Sequence, residues 1–387
     1  MSSIFKKEVQ KILALADVQI SGNRPWDITV SDERFYKKVL LEGSLGLGES
    51  YMDGWWDSQK LDEFFARVLS ARLGEKVGSK WRKALRGFGS IIFNMQSRTR
   101  AFQVGEQHYD IGNDLYEAML DKRMVYTCGY WSPSTGSASS PQASLGQEAK
   151  TLDEAQEAKL DLVCRKLGLR PGQRILDIGC GWGSFAKFAA EKYGVSVVGV
   201  TISKEQVSLG QKRCEGLSVE ILLKDYREIE GEFDHIVSLG MFEHVGYKNY
   251  RVYMEVAREH LKNGGLFLLH TIGNNFSKRG GDVWVRKYIF PNGMLPSVKQ
   301  IGKSIEGLFV MEDWHNFGAD YDKTLMAWQK NFEDNWDKIS PQYSERFRRM
   351  WNYYLLSFAG SFRARNIQLW QIVLSKDGVP GGYKSTR

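Results

Sequence analysis

The sequence is 387 residues long, carries a formal net charge of +7 and is 42% apolar. That length suits one large domain with a small companion, or two domains, and the apolar share is that of a soluble globular protein. No apolar run approaches the ~20 residues of a membrane span. The N-terminus, MSSIFKKEVQKILALADV, mixes charges into its apolar residues at helical spacing and does not read as a signal peptide. Cys128, Cys164, Cys180 and Cys214 have neither paired nor metal-ligand spacing, which predicts reduced thiols, no metal site and a cytoplasmic chain.

Residues 1–75 read as helical, with Phe35, Tyr36, Val39, Leu40 and Leu41 inside a helical stretch. The glycines of EGSLGLGESYMDG (Glu42–Gly54) are expected to break it, and Trp55-Trp56-Asp57 to open the next helix through Leu73. Tyr51, Trp55 and Trp56 read either as core packing or as an aromatic surface for an acyl chain. From Arg67 to Arg100 there are nine basic residues and one acid, Glu75, a net +8 that exceeds the excess of the whole chain. Such a patch points to an anionic partner, a nucleic acid or an acidic membrane surface. Within it Trp81, Leu85, Phe88, Ile92 and Met95 recur at helical spacing, opposite Lys80, Arg82, Lys83 and Arg86. That is the pattern of a basic helix in a membrane interface, and equally of a surface helix with a solvated basic face. Gly87 and Gly89 weaken the helix in either case. No nucleic-acid-binding module accompanies the patch, so no nucleic acid is expected as partner. Residues 1–100 are therefore expected to form a small helical domain with its linker, and 101–387 a second domain.

In HYDIGNDLYEAML (His108–Leu120) a helix capped near Asn113 or Asp114 is expected. Ser132–Gln147, rich in Ser, Pro, Gly and Ala, reads as a loop or lid, and Leu152–Leu167 as an amphipathic helix. The pattern then alternates: strand 174–178, helix 182–193, strand 196–200, helix 203–214, strands 219–223 and 233–239, helix 247–262 and strand 265–272. A strand near Phe309–Trp314, helices at 321–337 and 343–362 and strand Ile367–Leu374 complete it. Alternation of this kind predicts an α/β fold, a doubly wound parallel sheet that binds ligands at its strand C-termini.

RILDIGCGWG (Arg174–Gly183) is the most informative stretch. A buried strand runs into Gly179, Gly181 and Gly183, whose missing Cβ atoms permit a tight turn and a close ligand. Asp177 before the glycines suits a cationic ligand with hydroxyls and an amine better than a pyrophosphate. A dinucleotide fingerprint would space its third glycine later and carry an acid about 20 residues on; here the next strand ends in Thr201. The string resembles the S-adenosylmethionine loop of Rossmann-like class I methyltransferases. The later strand ends carry Thr201, Ser203 and Gln206, then Asp225 and Tyr226, then Glu243 and His244, then His270, Thr271 and Ile272. Such residues at five consecutive strand ends point to one ligand crevice. Glu243 and His270 read as an acid/base couple, a metal pair or a structural contact; a metal would want a third ligand, and no set is evident.

LEGSLGLGESYMDGWW, HYDIGNDLY, LDIGCGWG, GVTIS, GMFEHVG, FLLHTIG, KYIFPNG, DWHNFGADYDKTLMAW and FRARNIQLWQ together resemble the cyclopropane-fatty-acyl-phospholipid synthases over nearly the whole chain. From about residue 105 onward the chain is also similar to the mycolic acid cyclopropane synthases, which lack the small N-terminal domain. The resemblance implies transfer of a methylene group from S-adenosylmethionine to a cis double bond of a phospholipid acyl chain. The resulting carbocation would lose a proton to a bound bicarbonate as the ring closes. It implies Cys128, Glu243, His270, Ile272 (through its backbone) and Tyr321 as the bicarbonate holders. For the cofactor it implies Tyr126, Thr127, the loop containing Asp177, Gly179, Cys180, Gly181 and Gly183, then Thr201, Ile202, Gln206, Asp225, Tyr226 and Leu239. Phe358 stands where some relatives have a cysteine, which excludes a nucleophile there. The resemblance further implies a homodimer on the inner face of the membrane, with a phospholipid bilayer as partner and anionic lipid favoured. Two other functions stay open: methylation of an acyl chain or small amine without ring closure, and a membrane-binding protein on a degenerate methyltransferase fold.

Overall fold

The computed structural model describes residues 2–73, 112–131 and 148–387. The basic helix expected at Lys80–Met95, most of the basic 67–100 segment, the start of His108–Leu120 and the Ser132–Gln147 loop lie outside the described residues. The chain divides into two compact units. One comprises Met1–Phe93, Gly280–Pro291 and Tyr321–Ile367; the other Asn94–Arg279, Asn292–Asp320 and Gln368–Arg387. The contiguous boundary expected near residue 100 is thus not the one found: two later segments join the N-terminal region.

In the first unit, helices Ser2–Ala14, Arg34–Glu42, Ser44–Met52 and Leu61–Ser70 surround a two-residue pairing of β1 (Thr29–Val30) with β2 (Trp56–Asp57). One expectation holds in part here and one fails. The helical stretch does break in Glu42–Gly54, at Gly43 (φ 60°), but Gly46 and Gly48 lie inside a second helix, and Trp56 lies in a strand rather than opening a helix. Gly46 and Gly48 serve close packing: a Cβ on Gly46 would come 2.5 Å from the Lys38 carbonyl oxygen, and one on Gly48 2.3 Å from Trp284. Trp56 is fully buried against Phe35, Tyr51 and Phe64, and Arg349 donates to the Tyr51 and Trp56 carbonyls at 2.6 and 3.1 Å. Tyr51 and Trp56 are core packing. Helix Glu345–Arg363 lies against Leu61–Ser70, and Arg363 donates to Asp62 (2.7 Å) and Asp322 (2.9 Å).

The second unit is built on a seven-stranded sheet in the order β5-β4-β3-β6-β7-β9-β8. These are β3 (Arg174–Ile178), β4 (Ser196–Thr201), β5 (Val219–Leu223), β6 (His235–Leu239), β7 (Leu266–Asn274), β8 (Val310–Asn316) and β9 (Ile367–Ser375). β3 to β7 pair in parallel, and β9 is antiparallel to β8. The alternation of strand side chains explains two cores. Leu176, Ile178, Ile236, Phe267 and Leu269 pack on one face with Tyr253, Met254 and Ala257 of helix Tyr250–His260. Ile175, Val197, Val237 and Leu268 pack on the other with Leu160 and Val163 of helix Leu152–Leu167 and Phe185 and Ala189 of helix Ser184–Tyr193. Burial on both faces is why these strands read as apolar runs. The expected strands are all present, and the fold is that of a class I methyltransferase. β7 runs two residues beyond its expected end, to Asn274, and within it His270 lies opposite Leu239 at the end of β6. Among the described residues no helix is long and apolar enough to cross a membrane.

Candidate active site

β3 delivers Asp177 to the C-terminal edge of the sheet, where the chain must turn into helix Ser184–Tyr193. Gly179, Gly181 and Gly183 have φ of 83°, 55° and 75°, a region that disfavours side chains. The Gly179 and Cys180 N–H groups donate to the Val200 carbonyl at 2.9 and 3.1 Å, closing the turn on β4. The three glycines differ in what stands opposite them. A Cβ on Gly179 would meet Met241 at 2.7 Å and one on Gly183 would meet Cys214 at 3.0 Å, both packing contacts. A Cβ on Gly181 would meet nothing within 4 Å.

That open space belongs to a pocket lined by Tyr126, Thr127, Asp177, Gly179, Cys180, Gly181, Thr201, Ile202, Gln206, Asp225, Tyr226 and Leu239, all named by sequence reasoning. Gly183, also named, is absent from that lining and instead N-caps helix Ser184–Tyr193. The pocket also takes in Trp182 of the glycine loop and His244 after β6, and Lys159, Arg227 and Met241, which sequence reasoning passed over as binding groups. Thr201 Oγ1 donates to Gln206 Oε1 (2.6 Å), and Ser203 caps the following helix through the Gln206 N–H. Asp225 caps a short 3₁₀ turn and takes both arms of Arg227, at 2.7 and 2.6 Å. Asn113 opens its helix after Gly112, rather than capping it, and its Oδ1 accepts from Trp182 Nε1 (2.9 Å).

Lys159 is the most consequential omission. It is fully buried, and its Nζ donates to Thr127 Oγ1 (2.8 Å), while Gln156 Nε2 donates to the Thr127 carbonyl (2.7 Å). Burial pushes the Lys159 ammonium down to about 8. Burial pushes the Asp177 carboxyl up to about 7, opposed by the Lys159 charge, and Asp177 Oδ1 has no partner among the described residues. The sequence does hold a signal: Gln156, Lys159, Val163 and Lys166 recur at helical spacing, which puts three polar residues on a stripe facing the sheet. An unpaired buried carboxylate, an open glycine turn and a row of polar strand ends fit a cationic ligand with an amine and hydroxyls.

Glu243 follows β6 in a 3₁₀ turn between Met241 and His244, which both line the pocket. Its Oε1 accepts the Ile272 N–H at 2.6 Å, and its Oε2 is buried without a hydrogen-bond partner among the described residues. Ile272 thus presents its main-chain donor to Glu243. Burial pushes the Glu243 carboxyl up to about 7 and drives His270 well below the ordinary imidazole range, so His270 is neutral. Gln371 Nε2 lies 3.3 Å from His270 Nδ1 and donates to it, which leaves the proton on Nε2, a buried donor with no partner among the described residues. Glu243 thus leaves one acceptor and His270 one donor unused among the described residues. Cys128 is fully buried, its thiol 3.1 Å from the Gly129 carbonyl. Tyr321 belongs to the other compact unit, stacked on Phe362 with ring centroids 4.6 Å apart. Phe358, where a cysteine was excluded, packs against Tyr354.

The family model described as mycolic acid cyclopropane synthetase matches residues 96–372. The cyclopropane-fatty-acyl-phospholipid synthase of Escherichia coli K12 is 54% identical over 377 residues, covering 97% of this chain and 94% of that protein. Tuberculostearic acid methyltransferase UfaA1 of Mycobacterium tuberculosis is 31% identical, covering 89% and 82%. Among solved structures, the cyclopropane synthase MmaA2 of Mycobacterium tuberculosis superposes with a TM-score of 0.64 at 30% identity, over 71% of this chain and 98% of that one. Mycolic acid cyclopropane synthase CmaA1, complexed with SAH and CTAB, gives 0.62 at 32% identity, over 71% and 98%. The chain belongs to the mycolic acid cyclopropane synthetase family and is an S-adenosylmethionine-dependent methyltransferase.

Proposed function

We propose that the chain transfers a methylene group from S-adenosylmethionine to the cis double bond of unsaturated phospholipid acyl chains and closes a cyclopropane ring. The observations that carry the reading are two buried groups on neighbouring elements: Glu243, set between pocket-lining Met241 and His244 with one oxygen unpartnered among the described residues, and the neutral imidazole of His270, two residues before the Ile272 N–H that Glu243 accepts. The identity to a relative named for this activity supports it.

Attack of the double bond on the sulfonium methyl would break the methyl–sulfur bond, release S-adenosylhomocysteine and leave a carbocation on the acyl chain; loss of a proton from the new methyl would close the ring. Such a cation is strongly acidic, so placement of the base and exclusion of water decide the product. Bicarbonate, when bound, would supply that base. Glu243 Oε2 can accept an O–H and His270 Nε2–H can donate to an oxygen, the complement of an anion that carries both. Ile272 fixes the carboxylate through Oε1, and Gln371 fixes the imidazole tautomer. Cys128 and Tyr321 are proposed as further holders on the resemblance alone. Asp177, whose Oδ1 has no partner among the described residues, would meet the cofactor's hydroxyls and amine.

The protein is further proposed to work as a homodimer bound peripherally to the inner face of an anionic membrane, with the net +8 of residues 67–100 as its support. Methylation without ring closure is the second reading, favoured by the relative named a tuberculostearic acid methyltransferase. Incubation with methyl-labelled S-adenosylmethionine and phospholipid vesicles tests the function. Label should enter the acyl chains of unsaturated lipid and not of saturated lipid. Label in neither, or equal label in both, would overturn it.

A further inference from the structure

One surface carries a pattern that neither the cofactor pocket nor the Glu243–His270 pair explains. β7 ends at Asn274, and the chain then folds back on the segment before helix Val298–Ile305. The Asn274 N–H donates to the Pro296 carbonyl (2.7 Å), the Ser277 and Ser297 hydroxyls lie 2.7 Å apart, and Gln300 Nε2 donates to the Lys278 carbonyl (3.0 Å). These bonds hold the turn and leave Phe276 66% and Val298 55% exposed. Lys278, Lys299 and Lys303 are exposed beside them and make no ion pair among the described residues. No acid occurs from 274 to 279 or from 292 to 305.

Single exposed apolar side chains are ordinary. Two held by the turn's own hydrogen bonds and flanked by three unpaired ammonium groups make a different pattern. The apolar tips suit the acyl boundary of a bilayer, and the cations suit its phosphates. The surface is also tied to the proton site. The Met294 N–H donates to the Glu243 carbonyl (2.9 Å), and the Tyr250 hydroxyl donates to the Met294 carbonyl (3.2 Å). Phe276 lies four residues beyond Ile272, the residue that holds Glu243. At ~3.3 Å per residue that is at most about 13 Å, close to the ~15 Å hydrocarbon depth of one leaflet.

We propose that the Phe276 turn and the start of helix Val298–Ile305 form a docking surface for an anionic phospholipid bilayer. It seats the Glu243–His270 end of the sheet against the leaflet that holds the substrate chain. The inference rests on the lipid-substrate reading above, and its test separates the two. In the full chain, K278Q/K299Q/K303Q and F276S/V298S change only exposed side chains. Vesicles of phosphatidylglycerol with phosphatidylcholine, and of phosphatidylcholine alone, are the binding probes. Unsaturated phospholipid dispersed in nonionic detergent micelles is the turnover control. The lysine variant should bind anionic vesicles on the order of a hundred-fold more weakly, with little change on neutral ones. The F276S/V298S variant should bind both about tenfold more weakly. Both should keep wild-type turnover on micelles. Unchanged vesicle binding in both variants overturns the inference, as does an equal loss of turnover on micelles and vesicles. A wild-type chain that makes no product from either lipid form refutes the lipid-substrate reading, and vesicle binding then still decides the docking surface.

Discussion

Replacing Glu243 by Gln should make the protein more stable and nearly inactive. The residue is 7% exposed, one carboxyl oxygen accepts a single main-chain bond, and burial raises the carboxyl from 4.5 to about 7. Between those values the folded chain keeps a proton that the unfolded chain has released. Stability therefore falls as pH rises through that window, and the penalty is complete above it. At ~1.4 kcal/mol per pKa unit, the penalty for holding the charge is about 3 kcal/mol. Glutamine never ionises and escapes it, while the cost of burying its NH2 is the same at every pH. Urea unfolding at about pH 5 and about pH 8.5 isolates the difference. The gap between variant and wild type should move by about 2–3 kcal/mol in the variant's favour at the higher pH. Turnover should fall by about 10²–10⁴-fold, with S-adenosylmethionine affinity held. A gap that is the same at both pH values would refute a buried, ionisable Glu243.

Three further outcomes are expected. Gly181→Ala and Gly54→Ala both place a Cβ in open space at φ of 55° and 72° and should each cost about 1 kcal/mol of stability. By calorimetry only the first should lose S-adenosylmethionine affinity, by tenfold or more, and equal affinity in both would remove Gly181 from the ligand's path. Lys159→Met deletes the charge that opposes the upward push on Asp177, so the acid-side loss of S-adenosylmethionine affinity should move to higher pH. An unmoved pH profile would break that link. Turnover should slow in carbonate-free buffer and recover when bicarbonate is added back; full rate in buffer and protein both freed of carbonate would exclude a held bicarbonate.

The sheet was legible because its strands are buried on both faces and read as apolar runs, and because the turn after β3 can be made only with glycines at positive φ. The same residue type misled at Ser44–Met52, where Gly46 and Gly48 admit a neighbouring backbone and Trp284 rather than a turn. Local propensity carries no trace of a partner so distant in sequence. Lys159 was hidden for a related reason. A lysine on a helix reads as solvated until its stripe is seen to face Thr127 and Asp177. The roles of the glycines had to be sorted by what stands opposite each one, which spacing cannot supply. Nor could strand ends be placed closely enough to show that Ile272 spends its N–H on Glu243.

The central claim is ring closure on a membrane lipid, and nuclear magnetic resonance of the acyl chains tests it most directly. After incubation of unsaturated phospholipid vesicles with S-adenosylmethionine and the full chain, the olefinic protons should diminish. The upfield methylene protons of a cis cyclopropane should grow in their place, one ring for each double bond lost. A methyl branch or an exocyclic methylene in place of the ring would contradict the account.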